Sequence, residues 1–199
     1  MNSLRDLPIF GTEARFRRKI RGFIARDTSI VSSNCIGGRL AQIARYPYNS
    51  PTVGLWMEPP DFLELVRDLR DIIEEDIVED ISASDSFGYP VGLIRGLRLY
   101  FQHYASFEQA IFDWRRRATR LNFDDVVVTF TDRDGASTKD LKSFEDLPYR
   151  KIAFTANPFG CSAVVVPQYQ GMPCVGDLYS DWRSLDTALS KQNLNRLLR

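Results

Sequence analysis

A cysteine and a histidine are the residues of this chain with the most distinctive chemistry. The stretch "SSNCIGG" at residues 32–38 places Cys35 between a short β-branched run and an amphipathic segment. A thiol at a helix N-terminus lies at the positive end of the helix dipole, which lowers its pKa and makes it a better nucleophile. His103, the single histidine, follows an apolar strand pattern. We therefore expect Cys35 as the nucleophile and His103 as the general base of one site.

The same residues also have structural interpretations. A cysteine is often a small buried apolar residue, and a lone histidine is often structural. Gly37 and Gly38 would let a ligand approach the backbone, and their N–H groups, together with Asn34, would hold an oxyanion or a phosphate. The stretch is neither a Walker loop nor a dinucleotide fingerprint, because the required lysine and glycine spacings are absent. Three residues are candidates to orient the imidazole: Asn34, Glu108 and Asp132.

A dense group of arginines lies in the stretch "WRRRATR" at residues 114–120. Arg116 and Arg120 are four residues apart and therefore share one face of a helix, with Arg117 beside them. Guanidinium groups bind phosphate oxygens in pairs, so these three arginines are expected to grip the phosphate or diphosphate of a ligand. The alternative is a solvated basic face, or ion pairs with the carboxylates at residues 124 and 125.

Two further positions are ligand candidates, and no metal site is predicted. Ser50 lies in a turn before an apolar run, and Asp132 follows the buried strand pattern "DVVVTFT". Ser50 would contact the ligand, and Asp132 would bind a metal or a sugar hydroxyl, although residues of both types commonly serve only the backbone of turns. The chain has three scattered cysteines without a close ligand pair, which argues against a zinc site and against a disulfide framework. The cofactor requirement stays open.

Strand and helix patterns alternate along the chain. Strands are predicted at residues 28–32, 52–56, 89–94, 97–103, 125–131, 151–155 and 162–167, and helices at residues 37–44, 59–73, 107–121, 139–147 and 184–198. This order predicts an α/β fold, a three-layer Rossmann-like arrangement with a mainly parallel sheet and helices on both faces. Ligands bind such sheets at the carboxyl ends of the strands, where Cys35 and His103 are both predicted to lie.

The N-terminal region differs from the rest in its basic character. We divide the chain into an N-terminal basic helical extension, residues 1–27, and a single α/β domain, residues 28–199. The extension is expected to pack on the domain with its arginines in water, and peripheral membrane contact is the alternative. No apolar run approaches the roughly 20 residues of a bilayer span, so we expect a soluble cytoplasmic protein without a transmembrane segment. Because 26 basic residues balance 26 acidic ones, no nucleic-acid partner is expected. The oligomeric state stays open.

Several short motifs together resemble a bacterial family of unknown function whose members are often described as exopolysaccharide biosynthesis proteins. The motifs lie within residues 28–160, and they are Ser33-Asn34-Cys35-Ile36-Gly37-Gly38, Ser50-Pro51-Thr52-Val53-Gly54, Tyr89-Pro90-Val91-Gly92, His103-Tyr104, Trp114 with Arg117, and Arg120-Leu121-Asn122. In the first motif Ser33 replaces an asparagine of the family pattern and Ile36 an aromatic residue. The resemblance implies a Rossmann-like α/β fold but no established reaction. The early cysteine and mid-chain histidine also resemble, more distantly, papain-like cysteine peptidases.

Three functions are compatible with these features. The first is an enzyme of bacterial surface polysaccharide (exopolysaccharide or capsule) biosynthesis, which transfers a glycosyl, acyl or similar group from a nucleotide-sugar or glycan substrate. The second is a non-catalytic carbohydrate-binding or assembly subunit of the same pathway. The third is a papain-like cysteine hydrolase. The distance between Cys35 and His103 discriminates catalysis from binding, and an arginine face away from the thiol would remove most support for nucleotide-sugar transfer.

Overall fold

The computed structural model describes residues 7–189, and the side chains of residues 12–189. Its helices and strands, in chain order, are α1 (Leu7–Arg21), β1 (Ser29–Ser32), α2 (Ile36–Ala44), α3 (Pro59–Arg67), α4 (Leu69–Ile72), β2 (Val78–Glu79), α5 (Ile81–Phe87), β3 (Val91–Ile94), β4 (Leu97–Tyr100), α6 (Phe107–Ala118), β5 (Val126–Thr131), α7 (Thr138–Glu145), β6 (Arg150–Thr155), β7 (Ala163–Val165) and α8 (Trp182–Ala188). A short 3₁₀ turn, Pro167–Tyr169, follows β7.

A parallel sheet of four strands, in the order β1-β5-β6-β7, lies at the centre. Every residue of β5 is buried, because this strand is covered on both faces of the sheet. Phe16 of α1, Leu40 of α2 and Leu185 of α8 pack in one core with Val127 of β5. On the other face, α3, α4, α6 and α7 pack in a second core with alternate residues of β5. The predicted α/β fold, with a mainly parallel sheet and helices on both faces, is confirmed.

The predicted strands at residues 89–94 and 97–103 are β3 and β4, which form an antiparallel hairpin. Arg95 and Gly96 make its two-residue turn, with φ angles of 50° and 84°. Positive φ at both central residues matches the twist of antiparallel strands. β2 adds a third strand to this hairpin. His103 therefore follows a strand of a small antiparallel sheet, not a strand of the parallel one.

Three predicted elements differ from the structure. Residues 51–54 form turns, and only Trp56 pairs, in an isolated bridge with Tyr100, so the predicted strand at 52–56 is wrong. The cause is Gly54, whose φ of 86° breaks an extended run. The predicted helix at 59–73 is interrupted at Asp68, which separates α3 from α4. α8 begins at Trp182, and the predicted helical residues 190–198 lie outside the described residues.

α1 packs against α2 through both apolar and charged side chains. Phe16 and Ile20 are buried in the core that contains α2. Arg17 Nε donates to Ile43 O at 2.9 Å, and Arg21 Nε donates to Ala44 O at 2.9 Å. Cationic groups at these last carbonyls of α2 satisfy acceptors that a helix end leaves free. The division of the chain at residue 27 stays a prediction, tested below.

No helix among residues 7–189 is long and apolar enough to cross a membrane. The expected cytoplasmic location, the expected lack of a nucleic-acid partner and the alternative of peripheral membrane contact stay predictions.

Candidate active site

The turn from β1 into α2 sets the position of Cys35. The thiol-bearing residue is the N-cap of α2 and has helical backbone angles, φ −65° and ψ −4°. Gly37 N donates to Ser32 Oγ at 3.2 Å, which closes the turn onto the end of β1. A Cβ on Gly37 would lie 2.7 Å from Ser32 Cβ. Only glycine fits there, so Gly37 brings the helix start close to the strand end and fixes where the thiol lies.

The antiparallel hairpin brings His103 to the same place. The segment at residues 55–57 connects the two sheets: Met57 N donates to Ser33 O at 2.9 Å, and Trp56 exchanges two backbone hydrogen bonds of 3.0 Å with Tyr100. The end of β1 and the end of β4 are therefore held on either side of one short segment. The turn after β4 then carries Gln102 and His103 to the N-terminus of α2.

The thiol contacts two side chains of that turn. Cys35 Sγ lies 3.2 Å from His103 Nε2, and Gln102 Nε2 donates to Sγ at 3.2 Å. When the thiol donates to Nε2, the neutral imidazole carries its proton on Nδ1. Among residues 12–189 no side chain or carbonyl accepts from Nδ1. Within this part of the chain, Cys35 and His103 therefore form a pair, without a third residue that orients the imidazole. His103 is exposed, whereas Cys35 is half-buried.

Asn34 lies beside this pair but does not orient the imidazole. Its Nδ2 donates to Thr131 Oγ1 at 3.0 Å and to Asp134 Oδ2 at 3.2 Å. Its Oδ1 accepts from Ile36 N at 3.3 Å. Asn34 therefore connects the start of α2 to the end of β5 and to the loop that follows it, and it holds two walls of the site together.

Gly38, Ser50 and Asp132 have packing or backbone roles and do not line the cleft described below. Gly38 faces Val53 on the side of α2. Ser50 is buried, with its Oγ 3.0 Å from Thr52 Oγ1. Asp132 accepts from Ala156 N at 2.7 Å and from Val175 N at 2.8 Å, which joins three loops at the carboxyl edge of the parallel sheet.

The three predicted phosphate ligands also lie outside the cleft: Arg116 and Arg117 on α6, and Arg120 just after it. Arg117 is buried, and it donates to Val53 O at 2.7 Å, to Tyr104 OH at 2.5 Å and to Asp113 Oδ2 at 2.9 Å. Arg116 pairs with the same aspartate at 2.6 Å, one turn earlier on the helix. Arg120 is exposed. Asp113 thus neutralises the charges of Arg116 and Arg117, two of the predicted phosphate ligands, within their own helix. Arg117 also fixes the turn that carries His103, through its hydrogen bond to Tyr104.

The cleft, as we name the cavity around the thiol, has a volume of about 920 Å³. Its wall includes Cys35, Gln102 and His103 together with Asn34, Trp56, Glu58, Arg133, Asp134, Asp140, Asp177 and Tyr179. Carboxylates outnumber cations in this wall. Arg133, the cation among these side chains, pairs with Asp134 at 3.4 Å and with Asp177 at 3.7 Å. The cleft therefore presents a negative field to a ligand.

Burial raises the pKa of the Cys35 thiol above its ordinary value. The hydrogen bond from Gln102 lowers this pKa, the charges of Asp177 and Asp134 raise it, and Arg133 lowers it. The direction is opposite to the lowering that the helix N-terminus predicts, because desolvation and two nearby carboxylates disfavour the thiolate. Cys35 is therefore a neutral thiol near pH 7, and a base must remove its proton during any attack.

Gln102 is the residue that the sequence-based prediction missed. Its signal was its position in "FQHY", next to His103 and at the end of the same hairpin.

Among the described residues, no group of three or more histidine, cysteine, aspartate or glutamate residues is arranged to hold a metal ion.

Comparison with known proteins places the chain in a family. The family described as "Domain of unknown function (DUF1919)" matches residues 9–193. The chain belongs to the DUF1919 family. The DUF1919 match begins within α1 and includes Cys35, Gln102 and His103. A relative from Haemophilus influenzae, described as an uncharacterized protein, is 31% identical over 159 residues, which cover 77% of this chain and 76% of the relative. The expected membership of a family of unknown function is confirmed.

Proposed function

We propose that this DUF1919 protein is a cysteine-dependent enzyme that transfers or hydrolyses an acyl group. Cys35 is the nucleophile and His103 is the general base. The observation that carries the proposal is the 3.2 Å contact between Cys35 Sγ and His103 Nε2 inside an open cleft. A nucleophile within hydrogen-bond reach of its base is the arrangement that covalent catalysis requires.

The state of the thiol sets how the pair would act. Because Cys35 is neutral near pH 7, His103 Nε2 accepts the thiol proton as Sγ attacks a carbonyl carbon. When the bond to the leaving group breaks and the leaving group takes this proton from His103, a thioester on Cys35 remains, which water or an acceptor hydroxyl then cleaves. His103 is exposed on the cleft wall, so the same imidazole can take the proton of that second nucleophile.

Acyl transfer is favoured over transfer from a nucleotide sugar because of the charges around the thiol. A diphosphate needs cationic ligands, yet the cleft wall carries carboxylates and Arg133 is already paired with two of them. Arg116, Arg117 and Arg120, which would have bound the diphosphate, do not line the cleft. A neutral ester, thioester or amide meets no such electrostatic penalty.

We further propose that the acyl group belongs to a building block of a bacterial surface polysaccharide. The resemblance to proteins described in that context supports this substrate. Trp56 and Tyr179 in the cleft wall are aromatic rings against which a sugar can pack. A non-catalytic carbohydrate-binding or assembly subunit is the alternative, and it requires no reaction at Cys35.

The proposal is tested with 4-nitrophenyl acetate as an activated acyl donor. We expect a burst of nitrophenolate, and an acetyl group on Cys35 in peptides analysed by mass spectrometry. His103→Ala should acylate about 10²- to 10⁴-fold more slowly near pH 7, which is the usual contribution of a general base. The defect should shrink as the pH rises through the pKa of Cys35, since hydroxide then produces the thiolate without the imidazole.

Cys161→Ser is the matched control, because Cys161 is an exposed free thiol outside the cleft. This variant should acylate like the wild type, and Cys35→Ser should show no burst. Equal acetylation of Cys35, Cys161 and Cys174 would contradict the proposal, as would a His103→Ala variant with the wild-type rate. Either result would favour the binding-subunit alternative.

A further inference from the structure

Gln102 contacts the thiol but is neither the nucleophile nor the base of the proposed reaction. Its Nε2 donates to Cys35 Sγ at 3.2 Å, the same distance that separates Sγ from the imidazole. Its side chain is exposed on the cleft wall, so the contact is not a consequence of core packing. An amide donor beside a nucleophile is well placed to stabilise negative charge that develops during the reaction.

A second donor belongs to the nucleophilic residue itself. At the start of α2, Ile36 N donates to Asn34 Oδ1 and Gly37 N donates to Ser32 Oγ. The peptide N–H of Cys35 has no acceptor within the part of the chain that the structure describes. It belongs to the residue that bears the nucleophile, at the positive end of the helix dipole.

We propose that Gln102 Nε2 and the Cys35 peptide N–H form an oxyanion hole, so that Gln102 is a catalytic residue. The inference rests on the proposed function, since an acyl carbonyl develops negative charge on its oxygen when Sγ attacks it. The oxyanion is bonded to the carbon that Sγ attacks. Gln102 Nε2, which already donates to Sγ, is therefore close to this oxygen, and the peptide N–H of the residue that bears Sγ is the second donor.

Acylation of Cys35 begins with its attack on the carbonyl group of the substrate. A lone pair of Sγ forms a bond to the carbonyl carbon, and the thiol proton moves to His103 Nε2. The π electrons of the carbonyl move to its oxygen, which accepts hydrogen bonds from Gln102 Nε2 and Cys35 N–H. When the carbonyl forms again, the bond to the leaving group breaks, and the leaving group takes the proton from His103. The thioester of Cys35 remains, with the imidazole neutral.

Two reactions of the same thiol separate an oxyanion donor from a residue that merely positions Cys35. Acylation by 4-nitrophenyl acetate passes through an oxyanion, whereas alkylation by iodoacetamide is a direct displacement and does not. Gln102→Ala should therefore slow acylation by about 10²- to 10³-fold, the usual cost of losing one such donor. The limiting rate of alkylation, measured at a pH where Cys35 is fully ionised, should stay within about twofold of the wild type.

Gln102→Glu and Gln109→Ala complete the test. Glutamate keeps the size of the side chain but, when ionised, has no proton to donate, so Gln102→Glu should acylate as slowly as Gln102→Ala. Gln109 is an exposed glutamine outside the cleft, and Gln109→Ala should react like the wild type in both assays.

Three outcomes would overturn the inference. Acylation of Gln102→Ala at the wild-type rate would show that the amide has no role in the reaction. An equal loss in acylation and alkylation would make Gln102 a residue that only positions the thiol. A wild-type protein that is alkylated at Cys35 but never acylated would overturn the proposed function, and the oxyanion hole with it.

Discussion

Cys35 combines a nucleophile's position with a thiol that resists ionisation. Its neighbours act in opposite directions: Gln102 and Arg133 lower its pKa, whereas burial and the charges of Asp177 and Asp134 raise it. The raising effects dominate. The paired base therefore matters more here than in a site where the thiolate is already formed before the substrate binds.

Substitution of Asp177 should change the pKa of Cys35 in a direction that the structure fixes. Asp177→Asn removes a negative charge that raises this pKa, so the pKa should fall and alkylation of Cys35 by iodoacetamide at pH 7 should become faster. The measurement is the alkylation rate against pH, followed by mass spectrometry of the Cys35 peptide. Tyr179 N donates to Asp177 Oδ1 at 3.1 Å, and the side-chain oxygen of asparagine can still accept this hydrogen bond.

Asp124→Asn is the control for this charge, because Asp124 is exposed and outside the cleft. It should leave the pH profile of alkylation unchanged. A profile for Asp177→Asn that is unchanged, or displaced to higher pH, would contradict the electrostatic account of the thiol.

At the scale of elements, sequence patterns predicted what is local and missed what depends on distant residues. The apolar run of β5 and the turn at Gly96 have local signatures, so the buried strand and the hairpin could be predicted. The segment that connects the two sheets could not, because Trp56 and Met57 bond to residues on β4 and after β1. α5 buries none of its residues, so it has no apolar stripe to reveal it.

In the candidate site, too, local features could be predicted and contacts between distant residues could not. The chemical types of Cys35 and His103 could be read from the sequence. Cys35 follows β1 of the parallel sheet, as predicted, whereas His103 follows β4 of the antiparallel sheet and not a strand of the same sheet. Gln102 could not be assigned a role without knowing that the turn after β4 folds back onto α2. The density of arginines predicted phosphate ligands, but Asp113, one turn earlier on α6, forms ion pairs with Arg116 and Arg117.

The contact between α2 and β1 leads to a prediction about helix packing. A Cβ at Gly37 would lie 2.7 Å from Ser32 Cβ, so α2 would have to move away from the strand that it covers. We expect Gly37→Ala to lower the free energy of unfolding by about 1–3 kcal/mol, measured by urea denaturation. It should also slow acylation of Cys35, since the helix start carries the thiol.

Gly38→Ala is the matched control on the same helix. Its Cβ would lie 3.1 Å from a methyl group of Val53, a side-chain contact that a small movement relieves. Alanine also favours the helix by roughly 1 kcal/mol over glycine. Gly38→Ala should therefore stay within about 1 kcal/mol of the wild type. Equal stability of the two variants would show that the close approach at Gly37 does not matter.

For the whole molecule, the site depends on segments far apart in the sequence. β1 and β5 are neighbours in the parallel sheet, yet residues 33–125 lie between them and include the hairpin that carries Gln102 and His103. α2 is held at both ends: its start contacts the hairpin through Cys35, and its end accepts from two arginines of α1. The position of the nucleophile therefore depends on how firmly α1 is attached.

Phe16 of α1 tests whether that helix is part of the folded unit or an extension. Phe16 is fully buried and stacks on Trp182 with ring centroids 5.8 Å apart. If α1 completes the core, Phe16→Ala should cost about 3–5 kcal/mol and lower the melting temperature of the whole chain by on the order of 10 °C, with one cooperative calorimetric transition. Phe112→Ala, at a position that is 66% exposed on α6, should change little. A main transition unmoved by Phe16→Ala would make residues 1–27 a separate extension, and Cys35 would then hold its position without them.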